Sequence, residues 1–358
     1  MNKIVTIISV IIIGFVLTGF VTKKRQQPNP KFILEFIKNN PDKAAITVIR
    51  NDSVLININE NRLQPLASTV KIIIAIEYAH QAANKTIDVN QLIDLSQLNK
   101  YYIPNTDGNA HNNWLKYIEN KINDNKISVK EIAKGMIMFS SNANTEWLQQ
   151  KLGLNNINTQ LQKLNLDNHT PIYYMVSSLF VGKEVSKNLN NQSLQQALKT
   201  VSESDYIALT NKIHQKLNTD VNYKNDVGDL SMPIQKIWSD NLQASTTKAY
   251  ATLMQKLNNK RTFSAKIHQY LDPIMESMMQ SKGNQINLKH AGFKGGSTAF
   301  VLTQAFYATD KKGNTTELAM FFNNLTNLEF QNLSLQLNNF LIATLYNKDF
   351  RKDLLNNN

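Results

Sequence analysis

The chain has 358 residues, 42% of them hydrophobic, enough to bury one large core or two smaller lobes, so disorder is not its default state. It has no cysteine, which excludes a disulfide framework, a thiolate nucleophile and a Cys-ligated metal. The formal net charge of +12 is scattered among Asn, Gln and Glu with no basic run interleaved with aromatics, which argues against nucleic acid as a partner and fits an anionic cell-envelope surface.

The first element is an apolar run of 18 residues over positions 4–21, preceded by Lys3 and followed by Lys23, Lys24 and Arg25. A membrane span needs roughly 17 to 25 apolar residues, so the run reads as a signal peptide or as a membrane anchor. No A-x-A cleavage site comes after it, which favours the anchor. The trailing basic cluster favours the cytoplasmic side and so opposes export of the downstream chain. Residues 1–29 are taken as this segment plus a linker, with the membrane as its partner and an extracytoplasmic location expected for the rest.

Phe32, Ile33, Phe36 and Ile37 have helical spacing and predict a helix over 30–39, ended by Asn39-Asn40-Pro41. Two β-branched runs, 43–50 and 54–59, flank the polar Asn51-Asp52-Ser53 and predict a hairpin. Helical periodicity then dominates, over 127–138, 194–217 and 246–257 among others. Strand patterns return at 298–309 and 317–322 about a Lys311-Lys312-Gly313-Asn314 turn, and a helix over 332–346 closes the chain. The order sheet, helices, sheet predicts an α+β fold. An antiparallel sheet lobe from both ends (30–66 and 285–350) would carry an inserted all-α lobe (67–284), one domain over 30–350.

Three short words carry the chemistry. In Ser68-Thr69-Val70-Lys71 the hydroxyl and amine are three residues apart, which on a helix puts them on one face, where the amine can take the serine proton. The isoleucines at 72–74 and 76 favour a strand by propensity, but the extension through Glu77-Tyr78-Ala79 fits a buried helix better. S-x-x-K also arises by chance, and Ser245-Thr246-Thr247-Lys248 is a second instance, with Ser245 read as a helix N-cap. Ser140-Ser141-Asn142 sits between helical segments, where a hydroxyl and an amide suit proton relay and amide contact. Lys294-Gly295-Gly296-Ser297 leads into the strand expected from Thr298, its glycines letting backbone groups approach a ligand as an added strand would.

With these words in this order the chain resembles the serine β-lactamase and penicillin-binding-protein superfamily, and within it the class A β-lactamases most closely. The words look like its S-x-x-K, S-D-N and K-T-G elements. Asn99-Lys100-Tyr101-Tyr102-Ile103-Pro104 resembles the loop ahead of the middle element, Ile127-Ser128-Val129-Lys130-Glu131-Ile132 the helix leading into it, and 245–257 the helix after the omega loop. The likeness covers about 30–346 and implies a β-lactamase/transpeptidase-like fold. It makes Ser68 the acylated nucleophile, Lys71 its general base, Ser140 the relay, Asn142 a substrate contact and Lys294 an electrostatic anchor. Gly296 and Ser297 join the substrate-binding strand, and the N–H groups of Ser68 and Ser297 form the oxyanion hole. The implied partner is a small molecule, a β-lactam or a peptidoglycan-derived compound, with no cofactor and no metal.

Three departures bear on function. Ser141 stands where the family has aspartate, a loss expected to loosen the turn more than the chemistry. Gly295 replaces a hydroxyl residue that would help bind a substrate carboxylate, with Ser297 and Thr298 as substitutes. No E-x-x-L-N word supplies a deacylating glutamate; Asp240, in Trp238-Ser239-Asp240-Asn241-Leu242, is the nearest stand-in, with a helix-capping role as its alternative. Region 155–223 looks inserted and could form a lid or partner surface. The leading expectation is an exported serine hydrolase acting on a lactam or amide. A D,D-carboxypeptidase or esterase of the same fold and a non-catalytic, membrane-tethered cell-wall-binding or sensor module are the alternatives.

Overall fold

The computed structural model describes residues 28–185 and 190–357, so the apolar N-terminal run and its basic flank lie outside the described residues. Among the described residues no helix is long and apolar enough to cross a membrane. The chain divides into two compact units. One comprises Met1–Thr69, Ala244–Ala265 and Glu276–Asn358 so far as described, the other Val70–Gln243 and Lys266–Met275.

The first unit is built on a five-stranded antiparallel sheet of β1 (Ala44–Arg50), β2 (Ser53–Ile58), β3 (Leu288–Ser297), β4 (Leu302–Asp310) and β5 (Thr315–Phe322), in the order β2-β1-β5-β4-β3. Asn51 and Asp52 both adopt positive φ, 48° and 63°, between the paired Arg50 and Ser53, which is what a two-residue hairpin turn demands. β1 is buried along most of its length because both faces of the sheet are covered. On one face Ile46, Val48, Leu318, Met320 and Phe322 pack with Ile33 and Phe36 of the helix Lys31–Asn39 and with Leu337 and Phe340 of the helix Asn327–Tyr346. On the other, Thr47 Oγ1 meets Thr247 Oγ1 at 3.0 Å and Phe321 packs edge-on to Tyr250, both from the helix Thr247–Asn258.

Three expectations need correction in this unit. The helix Thr247–Asn258, assigned by sequence to an all-α lobe spanning 67–284, packs on the sheet. Its N-cap is Thr246, whose side chain accepts from Ala249 N–H, while Ser245 lies in a short bridge to Gln64. Lys294-Gly295-Gly296-Ser297 ends β3 rather than preceding a strand from Thr298. Thr298 Oγ1 instead accepts from Phe300 and Val301 N–H in the turn to β4, a local bonding pattern that competes with a strand ladder.

The second unit is helical apart from a small strand pair, Leu92–Asp94 with Lys126–Ser128. Lys71–Ala83 is a helix despite its isoleucines, because it is apolar on nearly every side and packs against the helices Asn142–Leu152 and Leu154–Lys163. Burial overrides strand propensity there. The expected helix over 127–138 breaks into the strand Lys126–Ser128, the helix Val129–Lys134 and a wide π-type turn, Gly135–Phe139. That over 194–217 divides into Asn191–Thr200 and Glu203–Thr219, where Ser202 caps the second helix and accepts from Asp205 N–H at 3.1 Å. Part of the 155–223 region is tied down by Glu146, which is fully buried and accepts from Val176 N–H at 2.7 Å and pairs with His214 Nδ1 at 2.8 Å.

Phe322→Ala is expected to cost about 3–5 kcal/mol, because Phe322 is fully buried in the sheet core and stacks edge-on to Phe36 at 5.9 Å. Urea denaturation measures it; a loss below about 1 kcal/mol would show that the sheet core is not closed by this pair.

Candidate active site

In the sheet unit, Ser68 lies on the 3-10 turn Ala67–Val70, directly before the first α-helical residue, Lys71. The serine is therefore on a turn preceding the helix rather than inside it. Ala67 enters this turn at φ 45°, a left-handed conformation costly for a residue with a Cβ. Ser68 remains half-buried while Thr69, Val70 and Lys71 are buried, so the nucleophile candidate is the accessible member of the word.

The turn is held against the strand β3. Thr303 Oγ1, on β4, lies 2.7 Å from Thr69 Oγ1, 2.8 Å from Leu66 O and 3.2 Å from Gly296 O. A Cβ at Gly296 would stand 2.4 Å from Ser68 N and 2.7 Å from Leu66 O, so only glycine lets the two backbones approach this closely. Gly295 is less tightly constrained, a Cβ there meeting Thr303 O at 3.3 Å. β3 is an edge strand of the sheet. Its Lys294 is 4% exposed and donates to Gly295 O at 2.8 Å. Burial pushes its amine down to about 7, so its charge titrates near neutral pH.

In the helical unit, Lys71, Ser140 and Asn142 come together. Lys71 is fully buried, and its Nζ donates to Ser140 O at 2.8 Å, Asn142 Oδ1 at 2.8 Å and Ser140 Oγ at 3.3 Å. Ser140 adopts φ 68° after the wide turn Gly135–Phe139, which turns its carbonyl and hydroxyl to the same amine. Asn142 opens the helix Asn142–Leu152.

Ser141 does not loosen this turn. It is fully buried and is the N-cap of that helix, its Oγ accepting from Asn144 N–H at 3.3 Å and donating to Asn144 Oδ1 at 2.9 Å. His111 Nδ1 lies 2.9 Å from the same oxygen. Burial pushes the His111 imidazole down to about 4, so it is neutral and its Nδ1–H donates to Ser141. Its Nε2 is then the bare acceptor nitrogen, and it is buried without a hydrogen bond.

Asp240 takes part in an ion pair at a helix end. It ends the helix Met232–Asp240 and pairs with Lys236 at 2.6 Å, one turn away on a partly exposed face. Sequence reasoning missed Asp107, whose carboxylate accepts from His111 N–H at 3.1 Å and whose pKa burial pushes above the usual carboxylate range. Its only sequence signal was an ordinary Asp-Gly turn. Among the described residues no group of three or more His, Asp or Glu could hold a metal ion.

A family model described as the beta-lactamase enzyme family matches residues 31–291. No curated protein sequence matches the chain. Among solved structures, a class A beta-lactamase from Bacteroides cellulosilyticus is 17% identical with a TM-score of 0.53, over 92% of this chain and 99% of its own. PBP-A, in a variant captured as an acyl-enzyme with penicillin G, is 16% identical with a TM-score of 0.54, over 89% of this chain and 96% of its own. A beta-lactamase from Sphaerobacter thermophilus is 15% identical with a TM-score of 0.55, over 88% of this chain and 98% of its own. These likenesses show the fold, an α+β arrangement of the β-lactamase/transpeptidase type.

The contrast between adjacent glycines gives a direct check. Gly296→Ala is expected to destabilise the protein by about 1–3 kcal/mol through overpacking against the Ser68 turn, and Gly295→Ala to be clearly milder. Thermal and urea unfolding of both variants would show it; equal losses would mean that the close approach is not there.

Proposed function

Because the chain belongs to the beta-lactamase enzyme family, we propose that it is an exported serine hydrolase acylated at Ser68 by a β-lactam or a related amide or ester, and then released by hydrolysis. The observation that carries this reading is the buried Lys71 amine, held by Ser140 and Asn142 and placed three residues after a half-buried serine. In the reaction Lys71, uncharged at that moment, takes the Ser68 proton while Ser68 Oγ attacks the substrate carbonyl. The N–H groups of Ser68 and Ser297 receive the developing oxyanion, each donor being worth about 3 kcal/mol. Ser140 passes a proton to the departing nitrogen as the C–N bond breaks. Water then attacks the ester carbonyl and returns Ser68 to its free form. Lys294, as an ammonium, attracts an anionic group on the substrate. The apolar run at 4–21 supports an extracytoplasmic location, with that segment in or through the membrane.

The slow step in this scheme is deacylation. No E-x-x-L-N word is present, and Asp240 is committed to Lys236. That absence of an evident carboxylate base favours a second reading within the same chemistry, a D,D-carboxypeptidase or esterase whose adduct with a β-lactam persists.

Incubation with a fluorescent penicillin is expected to label the protein once. Ser68→Ala should abolish the label and Lys71→Ala slow it by about 10²–10⁴-fold; labelling of the Ser68→Ala protein would refute the assignment. The adduct's lifetime, followed by intact mass after removal of free penicillin, decides between the two readings: rapid loss marks a lactamase, persistence a peptidase-like enzyme. For a substrate bearing a carboxylate, KM is expected to rise as pH increases through about 7, where Lys294 loses its proton. Lys294→Ala should flatten that dependence; an unchanged profile in the variant would remove Lys294 from substrate binding.

A further inference from the structure

A helix on the surface of a globular fold ordinarily turns charged residues outward. The helix Asn327–Tyr346 does not: across its 20 residues Glu329 is the only charged one, and that carboxylate pairs with Lys43 at 2.8 Å. Its inner face packs Leu333, Leu337 and Phe340 into the sheet core. Its outer face carries Leu328, Leu335, Ile342 and Tyr346, of which Leu328 is 68%, Leu335 57% and Tyr346 43% exposed. Two helical turns take about seven residues, so these four stand in one row about 27 Å long. An uncharged row of large apolar side chains on open surface marks a contact with something apolar.

The undescribed N-terminal part of the chain joins the fold beside this row. Asn29 N–H donates to Gln336 Oε1 at 2.9 Å, and Pro28 and Pro30 line one groove with Asn339, Ile342 and Tyr346. Between Pro28 and the apolar run 4–21 there are six residues, 22–27, with Lys23, Lys24 and Arg25 among them. Even fully extended, that stretch reaches no more than about 25 Å.

We infer that the outer face of the helix Asn327–Tyr346 lies on the lipid surface of the membrane that holds residues 4–21, an inference that rests on the membrane reading of that run given above. A tether this short brings down the face from which it leaves. Leu328, Leu335 and Ile342 then meet the boundary between headgroups and acyl chains, and Tyr346 takes the interfacial position that suits a ring with a polar end. The tether's basic residues add attraction to anionic headgroups. A second copy of the chain, or residues 4–21 folded back along the row, would also cover it. The tether favours lipid over both, because a run placed in the bilayer no longer competes for the row and holds it at a high local concentration of lipid, whereas another copy must arrive by diffusion.

The absence of cysteine makes the test specific, since one introduced thiol takes a label at one place. Leu335→Cys and Tyr346→Cys are each labelled with an environment-sensitive fluorophore in the full chain, and Lys248→Cys, exposed on the helix covering the opposite face of the sheet, is the comparison. The proteins are reconstituted with vesicles of phosphatidylethanolamine and phosphatidylglycerol in equal parts, and flotation reports membrane binding. The labels replacing Leu335 and Tyr346 are expected to shift to shorter wavelength and to lose emission to a nitroxide on the lipid acyl chains while resisting aqueous iodide. The label replacing Lys248 should be quenched by iodide and spared by the lipid nitroxide. Either row position carries the test alone if the other variant does not fold. Floating protein whose row labels are as open to iodide as the comparison overturns the lipid contact and leaves the anchor standing. Row labels shielded from iodide yet untouched by the lipid nitroxide are covered by protein, which also overturns it. Protein that does not float overturns the membrane reading of residues 4–21, and this inference with it.

Discussion

A lysine amine cannot be buried without somewhere to place its hydrogen bonds, and the arrangement around Lys71 results from that constraint. Three oxygens meet it, two from Ser140 and one from Asn142, so the amine and the middle word fix one another. The left-handed backbone of Ser140, the wide turn before it and the capping hydroxyl of Ser141 are the means by which a short stretch of chain delivers all three. Around them the helical unit is closely packed. A Cβ at Gly135 would stand 2.2 Å from Asn144 Nδ2 and 2.6 Å from the Trp114 ring, so the turn has little room to relax.

In the sheet unit the constraint is the close approach of two backbones. Thr303 sits among Thr69, Leu66 and Gly296 and joins the serine-bearing turn to the edge strand β3, while the missing side chain of Gly296 lets the two backbones meet. An edge strand that carries a buried lysine is suited to an extended, anionic ligand. Burial brings Lys294 close to its own neutralisation point, so the attraction proposed for it is pH-dependent.

Much of this was legible in the sequence, for physical reasons. The words at 68–71, 140–142 and 294–297 stand out together by residue type and order, and the hairpin and sheet strands show in their β-branched runs. The fold class emerged from the order of those patterns. What stayed hidden depends on contacts between residues distant in sequence. Asp107 is one polar residue in a turn-rich loop until His111 N–H is found against its Oδ2. Glu146, inside a helix and fully buried, could not be linked by pattern to His214, sixty-eight positions away. Local competition hid the rest: Thr298 bonds its own loop, so the strand expected from 298 begins at Leu302, and Thr246 rather than Ser245 caps its helix because Ser245 is held in the bridge to Gln64.

One serine, served by one buried amine, is proposed to become covalently bonded to substrate, and every other functional role depends on that bond. Peptide mapping by mass spectrometry after reaction with penicillin G tests it most directly. A single penicilloyl addition confined to the peptide containing Ser68 is the predicted result. Addition at another residue, or none under conditions where the folded protein is saturated, would contradict it.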